Sequence, residues 1–173
     1  MAASVGFPPV ARADAQVLIL GSLPGAESLR LQQYYAKKQN RFWWIMGEIV
    51  GAAPDLVYHA RLERLRQHRI ALWDVCAAAE RAGSLDSSIV LNSILPNDFG
   101  WFFRAHGAIE LICFNGSAAE RMFRLLVLPR LTAAQAAIRR VRLPSTSPAH
   151  AGMPHHEKLV RWRQALADLA GAH

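Results

Sequence analysis

Val17-Leu18-Ile19-Leu20-Gly21-Ser22-Leu23-Pro24-Gly25 is the stretch whose reading decides the fold. Four consecutive aliphatic residues read as a short buried strand, because a strand with one wet face would alternate apolar with polar residues. Two glycines and a proline directly after it mark a tight loop. The Glu27–Tyr35 stretch that follows reads as the start of a helix.

The same grammar repeats along the chain. A second helix is expected from Arg41 to Val50, stopped by Gly51, with Asn40 placed to cap its amino end. Tyr58–His68 sets Leu62 and Leu65 among charges, as an amphipathic surface helix does. Ile70–Val75 reads as a strand, followed by small residues and the turn-rich Gly83–Ser88. Ile109–Phe114 is the clearest strand. It ends at Asn115-Gly116, where Ser117 and Glu120 have capping-box spacing for the next helix. Ile138–Leu143 is a further strand, and a last helix is expected over Glu157–Leu169. Strands alternating with helices imply an α/β fold whose parallel sheet is covered on both faces. Ligands of such sheets bind beyond the carboxyl ends of the strands. The loops Gly21–Gly25 and Ser145–His150 both lie at those ends.

The 173 residues suggest one domain, with its core over 17–170 and residues 1–14 as a loosely ordered extension. No apolar run approaches the roughly 18 residues that span a bilayer. The first ten residues lack the basic start and apolar core of a secretory signal. The expectation is a cytoplasmic protein with no membrane partner, and a monomer. The net charge is +7, and only Lys37, Lys38 and Lys158 among the 20 basic residues are lysines. That balance fits a phosphate-rich partner, although it fits equally well arginines spread over solvated faces.

Several chemistries drop out. Two cysteines, Cys76 and Cys113, cannot hold an iron–sulfur cluster or a Cys-rich zinc site and read as buried thiols. His150, His155 and His156 have only Glu157 nearby, so no metal is expected. The first loop lacks the Gly-Lys-Ser/Thr ending of a phosphate loop and the third glycine of a dinucleotide fingerprint. There is no Gly-x-Ser-x-Gly elbow. What remains is a cluster of aromatics and amides: Tyr34, Tyr35, Phe42, Trp43 and Trp44, with Asn40 and Arg41 between them. Aromatic faces stack on extruded bases, and amides read base edges or hold water. The same residues suit an ordinary helix whose rings fill the core.

Taken in order, these segments resemble the uracil-DNA glycosylase superfamily. The resemblance rests on Gly21–Gly25, Gln33-Tyr34-Tyr35-Ala36 and Asn40-Arg41-Phe42-Trp43. Leu72-Trp73-Asp74-Val75, Gly83-Ser84-Leu85-Asp86-Ser87, Asn97-Asp98-Phe99, Phe114-Asn115-Gly116 and Leu143–Ala149 look like its hypoxanthine-DNA glycosylase branch, family six. It covers roughly Val17 to Leu166. The resemblance implies a three-layer α/β/α sandwich around a short parallel sheet. It also implies a monofunctional glycosylase that needs no cofactor and removes a deaminated base from DNA.

Under that resemblance Gly21, Ser22, Leu23, Pro24 and Gly25 border the base and sugar. Tyr35 stands where mismatch-specific relatives stack a ring on the base, and Asn115 belongs to the same pocket. Asp74 is either a pocket residue or a group that holds a loop by hydrogen bonds. Ser145, Ser147, Pro148 and His150 correspond to the motif that grips the DNA backbone. Met153 is the candidate wedge for the vacated stack, or part of a plain loop. Two positions depart from the family pattern. Leu23 replaces the Asp or Asn that orients water in many relatives, and Ser145 replaces a His. Asn40 matches the amide on which the hypoxanthine branch relies, either to hold water against C1′ or to donate to the base. Hypoxanthine and uracil rank close together as substrates. The departures also leave room for a protein that binds damaged or abasic DNA without cutting it.

Overall fold

The computed structural model describes residues 2–170, and of 168–170 the backbone alone. Its strands are β1 (Ala3–Val5), β2 (Val17–Gly21), β3 (Ile70–Asp74), β4 (Cys76–Glu80), β5 (Leu95–Pro96), β6 (Leu111–Asn115) and β7 (Arg139–Leu143). Its α-helices are α1 (Ala26–Leu31), α2 (Phe42–Val50), α3 (Tyr58–Gln67), α4 (Phe99–Ala105), α5 (Ser117–Met122), α6 (Ala133–Ala136) and α7 (His155–Ala170).

The main sheet has the order β3-β2-β6-β7 and is parallel throughout. Every residue of β2, β3 and β6 is buried. Their uninterrupted apolar runs follow from helices on both faces. Leu18, Leu20, Ala71, Trp73, Ile112 and Phe114 pack on one side with Phe99, Phe102 and Phe103 of α4 and Met122 of α5. Val17, Ile19, Ile70, Leu72, Leu111 and Cys113 face the other way, onto Phe42, Ile45 and Met46 of α2, Leu65 of α3 and Trp162 and Leu166 of α7. Each fully buried Leu, Ile or Phe contributes roughly 1.5–3 kcal/mol relative to exposure. This is the three-layer α/β/α sandwich that the sequence implies. The Trp162 indole also donates to the Pro144 carbonyl at 3.0 Å, which anchors the chain where β7 gives way to its loop.

The amino terminus differs from expectation. Residues 3–5 are not a loose extension but pair antiparallel with β4 in a second sheet of order β1-β4-β5. Val10 exchanges both backbone hydrogen bonds with Leu72, at 2.8 and 2.9 Å, along the outer edge of β3. An unpaired parallel edge is costly to leave open, and this segment closes it. The small residues after β3, to which the sequence assigns no element, form β4 because Ala77–Ala79 fit between two neighbouring strands. The Ser117/Glu120 capping box is not formed: Gly116 precedes α5, with no side-chain cap. Gly116 has φ +94, and a Cβ there would meet that of Ser145 at 3.1 Å, so glycine is what lets the two loops approach. Helix α1 is shorter than expected, because Gln32 (φ 54) turns left-handed after Leu31.

Candidate active site

Beyond the carboxyl ends of β2, β3 and β6 lies a cleft of about 370 Å³. The Gly21–Gly25 loop, Tyr35, Asn40, Asp74, Asn115 and the Ser145–His150 loop all line it. Every candidate residue from the sequence is therefore at this cleft except Met153, which is half-buried outside its lining. Residues 84–87 form a wall that the sequence reading did not assign to the site.

The first loop is held by its backbone. Val75 and Cys76 donate to the Gly21 and Ser22 carbonyls at 2.9 and 3.0 Å, which carries the β2–β3 pairing past the strand ends. Arg81, with its side chain 1% exposed, donates to the carbonyls of Leu23 (3.4 Å) and Pro24. Ser22 Oγ donates to Asp86 at 2.5 Å, and Ser84 Oγ accepts from the Ala26 amide at 2.9 Å. Leu23 is buried in the hydrophobic cluster beneath the loop, so it meets the cleft's floor as packing. Arg81 and Asp86 were missed as site residues. Asp86 stands inside a quoted motif, but a lone arginine in sequence carries no sign that it will be buried.

Asn40 sits on the other rim. Its Oδ1 accepts from the Phe42 amide at 2.9 Å. It thus satisfies the first free N–H of α2 from one residue further out than a regular cap, Arg41 occupying the cap position itself. An amide N–H can only donate, so the atom facing it is the oxygen. The two Nδ2 hydrogens have no partner among the described residues.

Thr146, 1% exposed, joins this rim to the sheet. Its carbonyl accepts from Arg41 N–H at 3.0 Å, its amide donates to Asn115 Oδ1 at 2.9 Å, and its Oγ1 accepts from Asn115 Nδ2 at 2.9 Å. Both ends of the Asn115 amide are therefore committed to Thr146. Ser145 and Ser147 accept from the amides two residues ahead at 3.2 Å each, and the buried Lys158 Nζ donates to the His150 carbonyl at 2.7 Å. The His150 side chain is exposed at the mouth. Thr146→Val removes the acceptor for a buried amide at constant volume. We expect a loss of about 1–3 kcal/mol of stability, read as a lower denaturant midpoint, with the fold intact.

At the floor, Asp74 is 4% exposed and its Oδ2 has no hydrogen-bond partner. Burial first, then the nearby Asp86 charge, pushes its carboxyl up to about 7, with Arg81 pulling the other way. Asn97 Nδ2 donates to the Asp74 carbonyl at 2.8 Å and fixes its backbone. Tyr35 adopts φ 53, a conformation that costs a non-glycine residue of order 1–3 kcal/mol. Its ring stacks on Phe42 with centroids 4.1 Å apart. Its hydroxyl is buried near Asn115 without a hydrogen bond of good geometry, and burial raises its pKa. A Cβ on Gly21 would lie 2.5 Å from Asp74 Oδ1 and 2.9 Å from the Tyr35 hydroxyl, so only glycine lets these groups close over β2.

A larger hollow of about 570 Å³ opens at the amino ends of β2 and β3, lined by Val17, Ile49, Ile70 and Leu166 with Arg69 and Arg163 at its edge. It holds none of the candidate residues. Among the described residues, no three His, Cys, Asp or Glu side chains converge as a metal site, and no helix is long and apolar enough to cross a membrane.

The comparisons with known proteins agree with this geometry. The model of the uracil DNA glycosylase superfamily matches residues 8–170. A hypoxanthine DNA glycosylase of Methanosarcina acetivorans is 44% identical over 122 residues, spanning 70% of this chain and 76% of that protein. A hypoxanthine DNA glycosylase of Methanosarcina barkeri is 41% identical over 112 residues, 64% of this chain and 70% of its own. The solution NMR structure of a candidate uracil DNA glycosylase from M. acetivorans superposes with a TM-score of 0.78 at 35% identity, covering 98% of this chain and 99% of the other. A family match across almost the whole chain, with the same loops gathered at the strand ends, makes this protein a member of the uracil DNA glycosylase superfamily.

Proposed function

We infer that the protein is a monofunctional DNA glycosylase that hydrolyses the N-glycosidic bond of a deaminated base, hypoxanthine first and uracil second. It works on DNA as a monomer and without a cofactor. The observation that carries this reading is Asn40: an amide with an unengaged Nδ2, its oxygen bonded to the Phe42 amide, lining the same cleft as the Gly21–Gly25 loop. The hypoxanthine preference comes from the two Methanosarcina relatives that bear that name.

The C1′–N bond breaks with its electron pair moving to the base, and the sugar gains oxocarbenium character. Water adds to C1′ and releases a proton to solvent. Leu23 cannot orient that water, and a neutral amide is a poor base. Catalysis therefore rests on placement and on preorganised donors that stabilise the charge on the departing base. Asn40 Nδ2 is such a donor, the Tyr35 ring backed by Phe42 offers a face for the extruded base, and Ser147 and His150 meet the DNA backbone.

The test is base release from duplexes that carry one hypoxanthine, uracil or xanthine, read as strand cleavage after alkali. We expect cleavage of the hypoxanthine duplex, with binding that weakens steeply as salt rises. No cleavage of any duplex, with retained affinity for abasic DNA, would replace this reading by that of a binder that does not cut.

A further inference from the structure

Deamination turns an amino group, which donates hydrogen bonds, into an oxo group, which only accepts them. This holds for cytosine to uracil, adenine to hypoxanthine and guanine to xanthine alike. A pocket that reads the new oxo group needs a donor at its floor. Most polar groups around this floor are already committed. Asn115 gives both amide ends to Thr146, Ser22 donates to Asp86, Asn97 donates to a backbone carbonyl, and Arg81 is spent on the first loop, which leaves Asp74 Oδ2 and the neighbouring Tyr35 hydroxyl unpartnered.

We propose that Asp74 enters the base pocket as a neutral carboxylic acid and donates a hydrogen bond to the oxo group of the extruded base. The proposal rests on the glycosylase reading above and says how that pocket tells a deaminated base from its parent. Asp74 ends β3 at the floor of the cleft, is almost fully buried and has an unpartnered Oδ2. Its Oδ1 stands directly over Gly21, where a side chain of any size would exclude it.

The groups that face Asp74 favour the acid form. Asp86, the hydroxyls of Tyr34, Tyr35 and Tyr58 and the Cys76 thiol add no positive charge. Arg81 is the one cation acting on it among the described residues, and its guanidinium points at the Leu23 and Pro24 carbonyls. As an acid, Asp74 donates to an oxo group. As a carboxylate it can only accept, which suits the amino group of the undamaged base. Raising the pH through 7 therefore removes the preference for the lesion.

The experiment measures single-turnover release of hypoxanthine from a duplex between about pH 5.5 and pH 9, for the native chain, Asp74→Asn and Asp74→Leu. The native rate is expected to fall by about tenfold per unit above pH 7. Asp74→Asn retains a donor, so it stays within roughly fivefold of native at low pH and is flat across the range. Asp74→Leu loses roughly 100-fold. A native profile that is flat through pH 7, or an Asn variant as poor as the Leu variant, overturns the proposal.

Binding provides a second readout. Asn40→Ala is titrated with duplexes that differ only in hypoxanthine or adenine at one position. A preference for hypoxanthine that vanishes above pH 7 supports the proposal, and one that is independent of pH overturns it. If the native chain releases no base from any duplex, the glycosylase reading fails, while this binding arm still decides the role of Asp74. A purely structural Asp74 would change melting alone. Asp74 ionises in the unfolded chain above its ordinary 3.8 but in the folded chain only near 7. The stability it costs therefore grows across that window and is largest above 7, so Asp74→Asn should gain more in melting temperature at pH 8 than at pH 5.

Discussion

Asn40→Ala is expected to lower single-turnover base release by roughly 100- to 1000-fold, the scale of removing one preorganised donor from a developing anion. The chain still folds. The alanine loses the bond to the Phe42 amide, and we expect about 1 kcal/mol of stability to go with it. Activity and stability are therefore entangled in this variant, and a second one separates them. Asn40→Asp keeps the oxygen that accepts from Phe42 N–H and removes the Nδ2 hydrogens. If Asn40 acts as a donor, Asn40→Asp melts like the native protein yet is as impaired as the alanine variant. If its oxygen holds the attacking water, the aspartate remains active and the donor role is wrong. Rates and thermal melts of the three proteins decide between these outcomes.

The second large effect is expected at Arg81, a residue that touches no substrate in our reading. Arg81→Met keeps the length and apolar volume of the side chain and removes the guanidinium. The Leu23 and Pro24 carbonyls then lose their buried donor, and Asp86 loses its only nearby cation among the described residues. Two carbonyls left without their buried donor cost about 3 kcal/mol, visible as a lower denaturant midpoint, and the ion pair with the exposed Asp86 adds little. Because the freed carbonyls belong to the Gly21–Gly25 loop, base release should fall by at least tenfold even at temperatures where the variant is fully folded. Asp86→Asn is the control. It still accepts from Ser22, and we expect less than half the loss seen for Arg81→Met. Equal losses in the two variants would place the effect in the ion pair rather than in the loop.

Much of the architecture was legible because it follows from composition over short windows. Val17–Leu20 and Ile109–Phe114 are apolar without alternation, and a parallel strand covered by helices on both faces has no reason to alternate. The small antiparallel sheet was not legible. β1 and β5 are two or three residues long, and alanine-rich β4 has no periodicity until its partners are known. The capping signature at Ser117 misled because the tight turn at Gly116 took the place of a side-chain cap.

The site divides in the same way. Residues at strand ends or in the loops after them, such as Gly21, Asn115 and Ser147, could be placed from topology alone. Asn40 was read both as a cap and as a functional amide, and its oxygen does act as a cap. The roles of Arg81, Asp86 and Thr146 depend on burial and on contacts between residues 31 to 105 positions apart along the chain, which no local pattern records. Asp74 lies between these cases. Its location at a strand end was legible, and its lack of a hydrogen-bond or ion-pair partner on Oδ2 among the described residues was not.

The two outer edges of the main sheet bear on how the protein behaves in a crowded solution. One edge is closed by Val10 pairing with Leu72, while the other, β7, is left at the sheet's end with Arg139, Arg140 and Arg142 exposed along it. A bare edge strand invites another copy of the same chain to add to it, which is the first step toward aggregation. Three arginines in a five-residue strand make that approach a meeting of like charges. The arginines that add to a surface suited to a polyanion thus also work against that edge-to-edge approach.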